Sequence, residues 1–247
     1  MGAKASNVGV DVTVVFPAFN EADGIERAVS EAAKALKGLG KSFEIIIAED
    51  GSTDGTDEIA ERLSRENDVI KHIHSDERLG RGRALNRAFK SSIGSILVYM
   101  DVDLATDVGS LGQLIASIEK GADLATGSRT HPESVARRSM LRGLASRAYN
   151  GLARSFLGSS VRDHQCGFKA FRRESLLKIL DDVKDNHWFW DTEVIALAVH
   201  NGFRVEEIPI VWREGSRSKV RIVSDSINMG YKVLSLWWRL KSKRDKS

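Results

Sequence analysis

The stretch Ser95-Ile-Leu-Val-Tyr-Met-Asp-Val-Asp103 decides how the rest of the chain is read. Five apolar residues, Ile96 to Met100, run directly into two carboxylates separated by one residue. A short apolar run with β-branched and aromatic members, bounded by polar residues, predicts a buried strand of a parallel sheet. Side chains alternate along a strand, so Asp101 and Asp103 are expected to project to one side at its carboxyl end. Two like charges held that close repel unless a cation lies between them, and a divalent ion is the usual remedy. Ligand crevices of open α/β sheets lie at the carboxyl ends of strands, where this pair falls. The competing reading is that Asp-Val-Asp only caps the helix that follows.

Outward from this strand, apolar runs and amphipathic stretches alternate. Asp11-Val-Thr-Val-Val-Phe16 reads as a buried strand stopped by Pro17. Phe19-Asn-Glu21 leads into a helix predicted over residues 23–39, with Ile25, Ala28, Val29, Ala32, Ala33 and Leu36 on one face. Phe43 to Ala48 is the next strand, and Glu49-Asp-Gly-Ser-Thr-Asp-Gly-Thr56 is the turn at its carboxyl end. A helix, a strand over 69–74, a helix over 82–91 and the central strand follow, then a short strand over 122–127. This alternation predicts an α/β fold, a doubly wound, mostly parallel sheet with helices on both faces.

The 247 residues carry a formal charge of +3 and 42% apolar residues, which suits a globular chain able to bury a sizeable core. A single cysteine, Cys166, excludes an internal disulfide and fits a reducing compartment. Met1 to Asp11 lacks the apolar core of a signal peptide, and no stretch approaches the roughly 18 apolar residues of a membrane-spanning helix. The charge is unevenly placed. Lys241, Lys243, Arg244 and Lys246 crowd the last seven residues, and six arginines (129, 137, 138, 142, 147 and 154) stand against one acid, Glu133. Two basic regions on a neutral body predict a localised anionic partner. Nucleic acid is not expected, because the basic residues are not interleaved with base-stacking aromatics.

A nucleotide is the expected ligand of such a sheet, but the dinucleotide fingerprint is absent. Leu79-Gly-Arg-Gly-Arg-Ala84 lacks the third glycine and does not follow the first strand, and no Walker A sequence occurs. Glu21, Glu49, Asp50, Asp101 and Asp103 instead crowd the strand ends. Carboxylates suit base and ribose donors and a bridging cation, and they repel bare phosphate. His72, His74 and His164 show no metal-ligand spacing in the sequence and no nucleophile beside them, which argues against a metallo-hydrolase.

Taken in order, Pro17-Ala-Phe-Asn-Glu21, Glu49-Asp-Gly-Ser-Thr-Asp54, Asp101-Val-Asp103 and Gly127-Ser-Arg129 resemble the inverting glycosyltransferases of family 2. Glu133-Ser-Val-Ala-Arg-Arg-Ser139, Asp163-His-Gln-Cys-Gly-Phe-Lys169 and Arg213-Glu-Gly-Ser-Arg-Ser-Lys219 resemble the dolichyl-phosphate hexose synthases, the first two being closer to the glucosyl branch. The resemblance covers residues 12–225. It implies one GT-A domain, with a nucleotide-sugar half over 10–127, an acceptor half over 128–222 and a basic amphipathic helix over 223–247. It implies a nucleoside site at Pro17, Ala18, Phe19, Glu21, Glu49, Asp50 and Val102, and Mg²⁺ or Mn²⁺ held between Asp101 and Asp103 and the donor diphosphate. Arg129 is implied beside the sugar and phosphates, and Asp163, Lys169, Asp191 and Glu193 on the donor-sugar and acceptor side. Arg138, Arg142, Arg213 and Lys219 are implied as the acceptor-phosphate set, with Asp103, Arg129, Arg213 and Lys219 closest to the chemistry.

The implied reaction moves a hexose, glucose from UDP-glucose first of all, onto dolichyl or another polyprenyl phosphate. GDP-mannose and UDP-N-acetylglucosamine are the alternative donors. Two departures from the family pattern stand out. Glu49 replaces an aspartate, and Ala105 stands where the mannosyl branch has a glutamine ligand, so water or Asp107 would complete the metal's coordination. A saccharide acceptor would require a base, for which Asp191 or Glu193 are the candidates, although both also read as structural. A non-catalytic sugar-nucleotide sensor and a nucleotidyltransferase are the more distant alternatives. Trp188-Phe-Trp190 reads as core before sugar platform. Ile227, Tyr231, Leu234 and Trp238 form one stripe of a helix over 227–240, to be covered either by the catalytic body or by a membrane surface on its cytosolic leaflet.

Overall fold

The computed structural model describes residues 9–137, 140–213 and 222–244. Strands β1 (Val12–Ala18), β2 (Phe43–Glu49), β3 (Ile70–Ile73) and β4 (Ile96–Met100) alternate with helices α1 (Ile25–Gly38), α2 (Thr56–Glu66) and α3 (Arg81–Ser91). A 3₁₀ turn at Val108–Ser110 leads to α4 (Leu111–Glu119) and β5 (Leu124–Ser128). Then come β6 (Val135–Arg137), α5 (Met140–Leu157), β7 (Phe168–Arg172), α6 (Arg173–Leu180) and α7 (Trp190–His200). The order closes with β8 (Val205–Pro209), β9 (Val211–Arg213) and α8 (Ile222–Arg244).

Among the described residues, seven strands form one sheet in the order β3-β2-β1-β4-β7-β5-β8, and β6 and β9 form a separate pair. Strand β7 runs antiparallel to both β4 and β5, and the other pairings in the large sheet are parallel. This is the expected α/β, Rossmann-like GT-A arrangement. Element boundaries differ from the sequence expectation by one or two residues for local reasons. Helix α1 starts at Ile25 because the Glu21 carbonyl first accepts the Gly24 and Ile25 amides. Strand β5 starts at Leu124 because Ala122 N still closes the end of α4 on Ser117 O.

Alternation along the strands divides the core in two. Val15, Ile46, Leu97, Tyr99 and Phe171 face one set of helices, α3 and α5 to α8. Val14, Ile45, Val98, Met100 and Ala170 face α1, α2 and α4. Each strand is apolar on both faces because helices cover both. Trp190 at the head of α7 is the largest fully buried side chain. Its ring lies 5.8–6.2 Å from those of Phe89, Tyr99 and Phe171, and its indole N–H donates to Asn86 Oδ1 at 2.8 Å. Phe189 is buried with it, so two of the three aromatics in Trp188-Phe-Trp190 are core, whereas Trp188 is exposed.

Helix α8 buries a different stripe from the one selected in the sequence. Met229, Val233, Leu236 and Leu240 pack inward, while Tyr231, Leu234 and Trp238 are 72%, 44% and 66% exposed. Both stripes obey the helical period, so only the packing partner decides between them. That choice is sealed by ion pairs from Lys232 to Asp185 and from Arg239 to Glu193.

Trp190→Ala is expected to destabilise the chain by about 3–5 kcal/mol, the usual cost of emptying a large aromatic site. Urea denaturation followed by far-UV circular dichroism measures it, and Trp190→Phe should lose clearly less.

Candidate active site

The carboxyl ends of β1, β2 and β4 meet in one crevice, and the loops there are knitted together by side chains. Asn20 N donates to Ser52 Oγ at 3.0 Å, Thr53 N to Asn20 Oδ1 at 2.9 Å, and Glu21 N to Thr56 Oγ1 at 2.8 Å. Pro17 and Ala18 end β1, and the Phe19 ring beyond them lies 3.8 Å beneath the Arg78 guanidinium. Asp50 is buried, its two oxygens accepting the Leu79 and Gly80 amides at 2.9 and 2.8 Å. Asn20 and Leu104 both adopt positive φ, 54° and 49°, without being glycine. Such backbone costs about 1–3 kcal/mol and persists where its surroundings over-determine it. These two residues flank the crevice.

Strand β4 stops at Met100, so Asp101 and Asp103 lie in the turn beyond it and strand alternation does not govern them. Asp101 Oδ1 accepts from Arg81 Nη2 at 2.8 Å, while Asp103 Oδ1 accepts the Ala105 amide at 3.0 Å. The capping reading fails for this pair, because the following 3₁₀ turn is capped by Asp107, whose side chain accepts Gly109 N. Partial desolvation, with Asp101 and Glu21 adding negative charge nearby, raises the Asp103 pKa. Val102 between them is buried against Met100 and α1, which anchors the turn.

Behind Asp101 lies a buried relay of charges. Arg81 Nη1 donates to Asp191 Oδ2 at 2.6 Å, and Lys169 Nζ donates to Asp191 Oδ1 at 2.7 Å. Tyr99 OH also bonds Asp191 Oδ1. Lys169 is fully buried and also donates to the carbonyls of Cys166 and His164 at 2.6 and 3.2 Å, which clamps the loop that carries them. Burial pulls the Lys169 pKa down and pushes that of Asp191 up. Two cations and two anions alternate along this relay, so each buried charge has an opposite neighbour.

Arg129, following β5, forms a two-pronged pair with the fully buried Asp163, at 2.6 Å through Nε and 2.7 Å through Nη2. Its own amide donates to the same carboxylate at 3.0 Å. This fork locks the guanidinium in one direction. Arg213 ends β9, and its amide donates to Ala105 O at 2.8 Å, while Asp107 N donates to Val211 O at 2.9 Å. The segment after Asp103 is therefore stitched to the strand that carries Arg213. A cleft of about 420 Å³ beside it is lined by Val135, Val211, Trp212 and Arg213.

Not every residue named from the sequence joins this centre. Glu193 is buried, accepts Asp185 N at 2.7 Å and pairs with Arg239, so it braces α7 against α8. Asp191 and Glu193 are two apart on a helix and point in different directions, and only Asp191 reaches the relay. Glu49 is buried, and its Oε2 contacts His74 Nδ1 at 2.7 Å. Arg138, Lys219 and the side chain of Arg142 lie outside the described residues. Cys166 is buried, with its thiol pushed up to about 11 by burial, and it acts as a small apolar group.

The sequence reading missed Arg81, because Leu79-Gly-Arg-Gly-Arg was measured only against a dinucleotide fingerprint. Gly80 has φ of 104°, and a Cβ there would collide with Asn186 O and the His187 ring. That close approach brings the first turn of α3 against the 185–191 segment and delivers Arg81 to Asp191. A Cβ at Gly167 would likewise overlap the Asp101 carboxylate, which gives the glycine of Asp163-His-Gln-Cys-Gly-Phe-Lys169 a definite role.

Gly167→Ala should displace Asp101 and lower turnover by about 100-fold, the scale of an ångström misplacement in an active site. Gly151→Ala, in open space on α5, is the control and should leave turnover and melting temperature unimpaired. Steady-state assays beside circular dichroism separate the two.

The sequence profile of Glycosyl transferase family 2 matches residues 13–180. Glycosyltransferase AglD of Haloferax volcanii is 52% identical over 241 residues, a span covering 96% of this chain and 39% of that protein. The chain thus spans well under half of that relative's length. A dolichyl-phosphate beta-glucosyltransferase of Saccharomyces cerevisiae is 33% identical over 238 residues, covering 88% of this chain and 71% of its own. Among solved structures, glucosyl-3-phosphoglycerate synthase of Mycobacterium tuberculosis, in complex with Mn²⁺, uridine-diphosphate and phosphoglyceric acid, superposes with a TM-score of 0.68 at 21% identity. That match covers 94% of this chain and 78% of the synthase, and it speaks to the fold. With the profile spanning more than half of the residues and the yeast enzyme aligned over most of both chains, this chain belongs to glycosyl transferase family 2.

Proposed function

We propose that the chain is a metal-dependent, inverting glycosyltransferase that moves a hexose, glucose from UDP-glucose, onto a polyprenyl (dolichyl) phosphate. The observation that carries the acceptor class is the state of the two candidate bases. Both oxygens of Asp191 are engaged by cations, and Glu193 is bound by an amide and Arg239. Neither is poised to take a proton from a saccharide hydroxyl. A phosphate monoester is already mostly dianionic near neutral pH, its second pKa being about 6, and attacks without a base.

What such a reaction needs is cationic surroundings that hold two polyanions together. Asp101 and Asp103 are hard oxygen donors in a locally negative turn, which fits Mg²⁺ or Mn²⁺. When bound there, the ion would neutralise charge on the departing nucleotide. Arg81 bonds Asp101 Oδ1 and restrains that carboxylate, and the Asp163 fork holds Arg129 in its set direction. Arg213 lines a cleft whose Val135 and Val211 walls are exposed and apolar, a match for a phosphate joined to a hydrocarbon tail. With the donor linkage inverted, the product of an α-linked donor is a β-linked lipid-phosphate sugar.

One relative of this chain bears on the donor sugar and the acceptor. The yeast protein is named a dolichyl-phosphate beta-glucosyltransferase, and the match to AglD covers nearly the whole of this chain. No helix among the described residues is long and apolar enough to cross a membrane. The exposed Tyr231, Leu234 and Trp238 of α8, with Lys241 5.4 Å from the Trp237 ring, suit peripheral contact with a lipid surface.

Incubation with Mn²⁺, UDP-glucose and polyprenyl phosphate should yield a lipid-soluble labelled sugar, with GDP-mannose and UDP-N-acetylglucosamine run in parallel. Absence of product from every donor, by folded protein, sinks the proposal. Glu193→Gln should keep turnover within about tenfold, whereas loss of a true general base costs about 10²–10⁴-fold. Asp103→Asn should abolish the metal-dependent rate without lowering the melting temperature.

A further inference from the structure

We infer that the chain carries a second cation site, separate from Asp101 and Asp103 and built from Glu49, Asp57, His72 and His74. The four side chains offer one donor atom each, and these atoms all lie within 4.8 Å of one another. They come from three segments that are far apart in sequence. Glu49 ends β2, Asp57 lies in the first turn of α2, and His72 and His74 lie at the end of β3 and just beyond it. Parallel pairing of β2 with β3 sets Ile47 beside His72 and Ala48 beside Ile73, so Glu49 continues in register with His74. Two histidines two apart on extended chain share a side, which is why both reach the same point.

The contacts converge. His74 Nδ1 is 2.7 Å from Glu49 Oε2 and 2.9 Å from Asp57 Oδ1, and His72 Nε2 is 3.2 Å from the same Asp57 oxygen. Yet Asp57 Oδ1 and His72 Nε2 are buried atoms that make no directional hydrogen bond among the described residues. His74 Nδ1 and Glu49 Oε2 bond each other, and an ion would take the place of that proton while giving the two unbonded atoms a partner. A tetrahedral zinc with bonds of about 2.0–2.1 Å spaces its donors by roughly 3.3 Å, so side-chain shifts of about half an ångström at the short contacts, with closure of the wider pairs, would seat it. Two carboxylates offset the charge of a dication, and the mixed nitrogen and oxygen donor set suits zinc better than magnesium. His74 Nε2, the nitrogen away from the centre, lies 3.1 Å from Asp76 Oδ1, the carboxylate support that metal-bound histidines usually have. His74 and Asp57 are partly exposed, which leaves a path of entry.

An ion here would pin the end of β2 to β3 and α2. Glu49 Oε1 accepts the Ser52 amide, and Ser52 Oγ accepts Asn20 N, so the clamp reaches the loops that line the crevice. The inference does not depend on the proposed reaction, since none of the four residues touches Asp101 or Asp103.

The test uses Asp101→Asn/Asp103→Asn protein, in which the other pair of acids cannot compete. Calorimetry with zinc chloride should show one equivalent bound and a raised melting temperature. Adding His72→Gln and His74→Gln should weaken that binding by at least about 100-fold, since each lost ligand costs tenfold or more. Failure of the acid-pair variant to bind zinc, or undiminished binding after loss of both histidines, overturns the inference. Should the histidine variants misfold, X-ray absorption on the zinc-loaded acid-pair variant decides. Two nitrogen donors near 2.0–2.1 Å support the site, and an all-oxygen shell refutes it.

Discussion

The relay that runs from the half-exposed Asp101 through Arg81 to the buried Asp191 and Lys169 is the constraint on which the rest of the crevice depends. Charges removed from water are costly unless each meets an opposite partner with good geometry. Here the partners come from four elements, namely the end of β4, the start of α3, the head of α7 and β7. Satisfying the relay therefore fixes where those elements stand. Asp101 at its outer end is oriented by a network whose inner end lies under the sheet. A removed member would strand its neighbours, so the network specifies one arrangement more strongly than apolar packing alone.

The same economy of roles explains the loop from Asp163 to Lys169. Asp163 holds the Arg129 fork, Gly167 leaves room for Asp101, and Lys169 folds back to bond the carbonyls of His164 and Cys166. His164 is buried and kept neutral, its pKa drawn down to about 4, with Nδ1 on Asn150 Oδ1. One antiparallel strand, β7, inserted between β4 and β5, brings this loop beside the end of β4. The antiparallel direction matters: it turns the start of β7, not its end, toward the crevice.

The ribbon that carries Arg213 is tied to the turn after β4 through backbone. The hydrogen bonds from Arg213 to Ala105 and from Asp107 to Val211 make β9 a neighbour of the turn that carries Asp103. The β6 and β9 pair lies outside the main sheet, so this small ribbon can present Arg213 without disturbing the core.

The sequence by itself determined the architecture, because apolar period and turn chemistry are local. The alternation of β1 to β4 with α1 to α3, the position of Asp101 and Asp103 after β4, and the family motifs were all legible there. Tertiary structure alone decided the partnerships. Arg81 reaches Asp191 across 110 residues, and Glu49 meets His74 only because β2 and β3 pair in parallel register. Asp191 and Glu193, adjacent candidates in the sequence, go to different neighbours because a helix turns them apart. The buried stripe of α8 was likewise undetermined until Asp185 and Glu193 supplied partners for Lys232 and Arg239. Periodicity records which residues share a face, whereas charge pairing and close approach depend on which faces meet.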